Sequence, residues 1–167
     1  GVGFFMAVPV FDGAFVNDGG IDGGLHGVQL VLGQATGGFT NNGDIEGVSG
    51  TGVWISAERW GSPDARADIR NTSSGTITGG ETGLWITALE VFGDLINDGV
   101  IFGGGADTGL FLDALLFVGD IINGGTIEAP TNAVALEIGT LEGEIVNTGT
   151  IRATDANGVA VALVVGN

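Results

Sequence analysis

The chain has 167 residues, 44% of them apolar, so it is long enough and hydrophobic enough to fold around one sizeable core. Its formal net charge is -16, with no lysine and no cysteine. That charge argues against nucleic acid and anionic membrane surfaces as partners, and the lack of cysteine excludes disulfides and thiolate metal sites.

The first predicted element is a half repeat, residues 1–12, with the apolar segment GFFMAVPVFDG from Gly3. This segment aligns without a gap to GLFLDALLFVG from Gly109, so the chain begins midway through a repeat. It lacks the basic start of a signal peptide, and no apolar run in the chain reaches the ~18 residues of a membrane span. We therefore expect no membrane insertion and any targeting segment to lie outside this chain.

Six copies of one motif, G-[DE]-[IL]-x-N-x-G-x-I, occupy the rest of the sequence. They begin near residues 13, 37, 67, 93, 119 and 143, so that most repeats are 24 to 26 residues long. A second alternating segment, such as TGVWISA from Thr51 or TGLWITA from Thr82, follows each copy. The longest repeat contains an insertion at 58–66, which we predict to be a surface loop.

Each repeat therefore predicts two or three short strands separated by glycine-rich turns, which is one rung of a three-sided parallel β-helix. An antiparallel meander is the competing fold, because Asn42-Gly43 is a strong hairpin signal. A meander gives no reason for one asparagine to recur at a fixed phase, whereas a solenoid stacks equivalent positions. The predicted fold is all-β, a single right-handed parallel β-solenoid over 1–167, with about seven rungs and uncapped ends.

Alternate residues of the repeats form three apolar columns that we predict to be the core. The first column holds Phe15, Phe39, Ile69, Leu95, Ile121 and Ile145; the second holds Ile21, Ile45, Ile77, Ile101, Ile127 and Ile151; the third holds Phe4, Leu25, Val53, Leu84, Leu110 and Val134. Aliphatic and aromatic side chains of these kinds suit a stacked, pleated surface.

One asparagine recurs at the same phase of every complete repeat. The row consists of Asn17, Asn41, Asn71, Asn97, Asn123 and Asn147. Because a side-chain amide can donate to one rung and accept from the other, we interpret this row as a structural ladder. A polar binding row is the alternative.

Large aromatic side chains point outward in consecutive rungs at Trp54, Trp85 and Phe111. Together with Arg59, Trp60 and Arg66 of the insertion, they are the candidate contact residues. They could bind a glycan or a host protein, meet another copy or domain, or merely stack on one another to stabilise the face. In so acidic a chain the arginines could instead pair with nearby carboxylates.

A column of acids occupies one edge of the predicted solenoid, at Asp68, Asp94, Asp120 and Glu144. Like charges repeated at this spacing repel unless they are solvated or bridged, and Ca²⁺ is the cation that such oxygen ligands would suit. The glycine-aspartate nonapeptide of calcium-binding β-rolls is missing, so a solvated edge is favoured over calcium and no cofactor is expected.

Catalytic residues are not evident in the sequence. The single histidine, His26, is predicted to be a surface residue, with no serine, cysteine or basic partner at the same phase. Polysaccharide-degrading enzymes of the pectin-lyase-like fold bind acidic sugars with Lys or Arg, and this chain has no lysine. We therefore expect a protein that is not an enzyme.

The run G-D-I-x-N-x-G-T-I followed by T-G-L-x-I resembles the β-solenoid repeats of bacterial autotransporter passenger domains and related surface adhesins. The resemblance covers the whole chain. It implies an extracellular or cell-surface location and a structural or adhesive role as a stalk or self-associating module. Its expected partners are copies of itself, end to end or lateral, or further rungs of the parent protein. The alternative is an adhesin module that binds glycans or host proteins through the aromatic stripe.

Overall fold

The computed structural model describes residues 1–105 and 107–166 of the chain. Throughout these ranges the secondary structure is β, without any helix, and the strands form three parallel sheets. The sheets are stacked as a β-solenoid of about six turns, which confirms the predicted fold class. The Ala106 and Asn167 positions of the predicted 1–167 domain lie outside the described residues.

Sheet A contains the longest strand of each turn and has seven strands in the order β1-β4-β7-β10-β13-β16-β19. Their bounds are β1 Phe4–Phe11, β4 Val28–Ala35, β7 Val53–Trp60, β10 Leu84–Phe92, β13 Thr108–Val118, β16 Asn132–Glu142 and β19 Val159–Val165. This sheet therefore presents the broadest face of the solenoid.

Sheets B and C are formed by the recurring motif, which contributes one short strand to each. Sheet B contains β2 Phe15–Asn17, β5 Phe39–Asn41, β8 Ile69–Asn71, β11 Leu95–Asn97, β14 Ile121–Asn123 and β17 Ile145–Asn147. Sheet C contains β3 Gly20–Gly23, β6 Asp44–Gly47, β9 Thr76–Gly79, β12 Val100–Gly103, β15 Thr126–Ala129 and β18 Thr150–Ala153.

Every named strand pairs in parallel with the equivalent strand of the neighbouring turn. In sheet A, Leu84 is in register with Val53 of the preceding turn and Leu110 of the following turn. The one antiparallel bridge in the described ranges, Ser62 to Ala65, closes a local loop. This pairing contradicts the antiparallel meander, because consecutive strands of the chain belong to different sheets.

The core is formed by the inward columns of the three sheets. Phe39 in sheet B and Ile77 in sheet C are completely buried, as are Leu30 and Ile86 in sheet A. A fully buried side chain of this size contributes about 1.5 to 3 kcal/mol. Ile145, in the last turn, is 43% exposed. The middle turns therefore hold the most completely buried part of the core.

The third predicted column was wrong at one position. Val28, not Leu25, is in register with Phe4 and Val53, and Leu25 is 45% exposed. A glycine precedes the inward residue in every turn of this column except at Val134, which follows Ala133, and this pattern explains the error. A Cβ on Gly27 would lie 2.6 Å from the carbonyl oxygen of Gly52 in the next turn, so the close approach of the turns marks Gly27-Val28 as the equivalent pair.

The boundary of the predicted insertion was also wrong. Strand β7 continues through Trp60, which is in register with Ala35 and Val91, so Glu58 and Arg59 belong to a strand and not to a loop. The additional residues follow Trp60 and form a short loop over 61–66. Backbone hydrogen bonds of 2.9 and 3.2 Å between Ser62 and Ala65 close this loop.

The backbone conformation favours glycine at the first position of the motif in four turns. Gly13, Gly93, Gly119 and Gly143 have φ values of 148°, 149°, 152° and 159°, a region that residues with a side chain rarely adopt. A Cβ on Gly119 would lie 2.1 Å from the carbonyl oxygen of Gly93. The motif therefore requires glycine where successive turns come closest.

Candidate functional site

The recurring asparagines form a continuous ladder at the end of sheet B. Each Nδ2 donates to the Oδ1 of the asparagine in the next turn over 2.8 to 2.9 Å, from Asn17 through to Asn147. The same Nδ2 of Asn97 also donates to the carbonyl oxygens of Gly99 and Thr126. Asn17 to Asn123 are buried. Their amides are occupied by structural hydrogen bonds, which supports the ladder interpretation over a binding row.

The acidic column forms a second ladder, between side chain and backbone. The Oδ1 atoms of Asp68, Asp94 and Asp120 each accept a hydrogen bond of 2.9 Å from the backbone N–H of Asp94, Asp120 and Glu144, respectively. The predicted solvated edge did not include these bonds. The recurrence of an acid at the same phase of successive repeats was the sequence signal for these bonds, because it places each carboxylate beside the backbone N–H of the next turn.

Calcium binding at Asp68, Asp94, Asp120 and Glu144 stays a prediction, and the positions of these acids bear on it. These acids follow the solenoid axis one turn apart, and three of them already accept backbone N–H groups. Within 1–105 and 107–166, no group of three or more His, Cys, Asp or Glu side chains is placed to hold a metal ion. A shared calcium centre would need such a convergent group.

All four arginines of the chain pair with carboxylates of a neighbouring turn. The pairs are Arg59 with Glu90 at 2.6 Å, Arg66 with Asp94 at 3.9 Å, Arg70 with Asp98 at 2.6 Å, and Arg152 with Glu128 at 2.5 Å. The two arginines predicted as contact residues, Arg59 and Arg66, are therefore engaged within the solenoid.

Trp60 does not lie on the surface, contrary to the predicted role of the insertion. Its ring is completely buried, and its Nε1 donates a 3.0 Å hydrogen bond to the carbonyl oxygen of Ala67. The tryptophan thus anchors the loop 61–66 to the core. It falls at the last inward position of β7, where the register of sheet A directs a side chain into the interior.

The aromatic stripe occupies outward positions of sheet A in neighbouring turns. Trp54 pairs with Trp85, and Trp85 pairs with Phe111; all three side chains are half-buried. The rings of Trp85 and Phe111 lie 4.9 Å apart and are inclined by 54°. Because their faces are inclined, the rings pack on each other and do not form one flat platform.

His26 is half-buried and makes a structural hydrogen bond that the prediction of a surface histidine did not include. Its Nδ1 accepts the backbone N–H of Thr51 in the next turn over 3.1 Å, and its ring meets Trp54 edge-on at 5.2 Å. Burial lowers the pKa of His26 below its ordinary value of 6.5, although the negative charge of Glu81 opposes this shift. The shift favours the neutral imidazole, the form in which Nδ1 can accept this hydrogen bond.

A groove of about 1060 Å³ runs along the outer face of sheet A and is lined by residues of all seven strands. It lies where the alternation of each strand is interrupted. In β13, Ala114 and Phe117 are buried, but Leu115, between them, is 66% exposed. The groove was not predicted from the sequence, because two successive outward residues resemble an ordinary break in a strand pattern.

Carboxylates and apolar side chains share this groove. Glu58, Asp113 and Glu137 line it, together with the exposed Leu89 and Leu115. Asp113 and Glu137 occupy directly paired positions of adjacent turns, so their charges lie side by side at a strand spacing of about 4.8 Å. The four arginines are all paired with other acids, so no arginine neutralises this pair.

Comparison with known proteins does not place the chain in a family: no family model, curated protein or solved structure matches it. In the ranges that the structure describes, no helix is long and apolar enough to cross a membrane.

Proposed function

We propose that this chain is a structural segment of an exported bacterial cell-surface protein, in which the solenoid acts as a rigid spacer and associates end to end. The location rests on the resemblance of the repeats to those of autotransporter passengers and surface adhesins. Antibody labelling of intact cells that produce the full protein tests it. Labelling only after permeabilisation would contradict it.

The last described turn leaves part of its core uncovered, and a further turn of the same chain or of another copy would cover it. Inward residues Val161, Leu163 and Val165 of the last turn are 45%, 49% and 45% exposed, whereas their register partners Val134 and Leu136 are buried. The outer edge of β19 has no paired strand within the described ranges, so its backbone groups are open to another strand. A further turn would complete both the core and the sheet.

The asparagine ladder gives this association a direction. Amides from Asn17 to Asn123 donate to the next asparagine, but Asn147, in the last turn, donates only to the carbonyl oxygen of Gly149 within the described ranges. Asn17, in the first turn, lies at the opposite end of the stack, where its Oδ1 accepts the backbone N–H of Gly19 over 3.2 Å and no asparagine amide within the described ranges. A turn added at either end, from the same chain or from another copy, would continue the ladder in the same direction, and copies added in this way would join head to tail.

A matched pair of variants in β19 tests the association. Leu163→Asp places a charge in the inward row, whereas Val164→Asp places the same charge on the outward face of the same strand, where Val164 is 64% exposed. We expect wild type and Val164→Asp to form concentration-dependent rods in light scattering and negative-stain microscopy, and Leu163→Asp to remain single particles. Single particles of wild type at every concentration, or equal loss in both variants, would refute end-to-end association.

A further inference from the structure

We propose that the groove on sheet A binds an extended, cationic polypeptide segment of another protein, with alternating basic and apolar residues. The first observation is the shape of the groove. It crosses seven strands, which corresponds to a length of about 29 Å, or roughly nine residues of extended chain. Its lining covers only three consecutive positions in each of the first six strands, such as 113–115. That width is roughly 7 Å, narrower than the ~10 Å of an α-helix, so the occupant is extended.

The second observation is the chemistry of the lining. Leu89 and Leu115 are 57% and 66% exposed and offer apolar surface to alternate side chains of an occupant. Asp113 and Glu137 stand side by side and lack an arginine partner, an arrangement that disfavours the folded sheet. A lysine or arginine from an occupant would relieve this repulsion at the same point.

The third observation is the charge of the whole molecule, which selects a cationic partner over a second copy. The chain has a formal net charge of -16, and its four arginines are occupied by ion pairs. Two copies placed groove to groove would bring uncompensated carboxylates together, whereas a basic segment would be attracted from solution.

The test uses a fluorescent ten-residue peptide of alternating Lys and Leu, with anisotropy as the readout. The variant Asp113→Asn with Glu137→Gln removes two charges from the groove. The control, Asp22→Asn with Glu46→Gln, removes two equally exposed, directly paired charges from sheet C. Circular dichroism checks that both variants keep the β spectrum.

We expect saturable binding to wild type, about fivefold weaker binding to the groove variant, and less than a twofold change in the control. A Lys-Ser peptide of equal charge should bind more weakly, because it lacks the apolar side chains. Three results would overturn the proposal: no saturable binding, equal loss in both variants, or displacement of the peptide by a neutral oligosaccharide. Tighter self-association of the groove variant would instead identify the occupant as a second copy and overturn it as well. The peptide-binding measurement can be separated from end-to-end association, because every variant can also be made in the Leu163→Asp protein, which is expected to remain single particles.

Discussion

The asparagine ladder of sheet B and the Asp113–Glu137 pair of sheet A are both polar columns at the same turn spacing, yet their chemistry differs. A side-chain amide both donates and accepts hydrogen bonds. Asn97 therefore accepts a bond from Asn71 in the preceding turn and donates one to Asn123 in the following turn. An ionised carboxylate only accepts, so Asp113 and Glu137 cannot bond to each other. Stacking therefore turns amides into a structural element and leaves carboxylates available for a partner, unless a backbone N–H is within reach.

The Asp68 column shows that exception. Its carboxylates bond to backbone N–H groups of the next turn, so the same acid type is structural there and unpartnered in the groove. The position relative to the backbone decides the role of an acid in this solenoid. Substitutions in the two kinds of column should change the stability of the protein by different amounts.

The largest expected effect comes from interrupting the ladder with Asn97→Ala. Asn97 is 3% exposed, and its loss leaves the Nδ2 of Asn71 and the Oδ1 of Asn123 without their side-chain partner. We expect the free energy of unfolding to fall by about 3 kcal/mol, measured by urea denaturation. Asn42→Ala, which removes an exposed bond to Asp18 and a partly buried bond to Thr72, should lower it by less than about 1 kcal/mol. Similar losses for both variants would show that the ladder is not special.

The next effect tests the close spacing of turns on which both columns depend. Gly119→Ala would bring a Cβ within 2.1 Å of the Gly93 carbonyl oxygen at a φ of 152°, whereas Gly13 has a similar φ of 148° and open space around it. We expect a loss of about 3 kcal/mol at Gly119 and about 1 kcal/mol at Gly13 in the same denaturation assay. Equal losses would mean that backbone conformation alone, and not the approach of the turns, requires the glycine.

A pH titration tests the hydrogen bond between the Thr51 N–H and the His26 Nδ1, because protonation of Nδ1 removes the lone pair that accepts the bond. Protonation of His26 at Nδ1 destroys the acceptor for the Thr51 N–H. Because the folded pKa is lowered, the unfolded chain takes up the proton first, so this contribution is complete above about pH 6.5 and declines as the pH falls through the folded pKa. The control is His26→Asn, because asparagine occurs at the equivalent position 132. Between pH 7.5 and 5.5, the melting temperature of the wild type should fall more than that of His26→Asn. Parallel pH profiles would contradict this.

The smallest effect has the opposite sign and completes the comparison. Glu137→Gln removes one of two adjacent like charges, so we expect the free energy of unfolding to rise by about 0.3 kcal/mol. Asp94→Asn, in the hydrogen-bonded column, should not raise it. A destabilised Glu137→Gln variant would show that this carboxylate has a structural partner.

The recurring phase of the motif was sufficient to predict the parallel stack, since Asn97 and Asn123 could only be neighbours if whole turns were equivalent. The inward columns followed from alternation in the same way. The Leu25 error arose because the turn into β4 contains two candidate glycine-apolar pairs, and only the approach of Gly27 to the next turn distinguishes them. The Trp60 error arose because an insertion was assigned from length alone, whereas the register of β7 extends through that residue. The groove was not predicted, because the break in alternation that forms it is recognised only when the seven strands of sheet A are aligned in register.

The most direct test of the parallel stack uses engineered disulfides, since the described chain has no cysteine. Ile96 pairs with Ile122 of the next turn, and Ile122 pairs with Val146 of the turn after that; all three side chains are half-buried and point outward. Neighbouring turns place Cα atoms about 4.8 Å apart, within disulfide range, and alternate turns place them about 9.6 Å apart, outside it. Under mild oxidation, Ile96→Cys with Ile122→Cys should form an intramolecular disulfide, and Ile96→Cys with Val146→Cys should not. Cross-linking of the second pair in preference to the first would contradict the stacking of equivalent residues in successive turns.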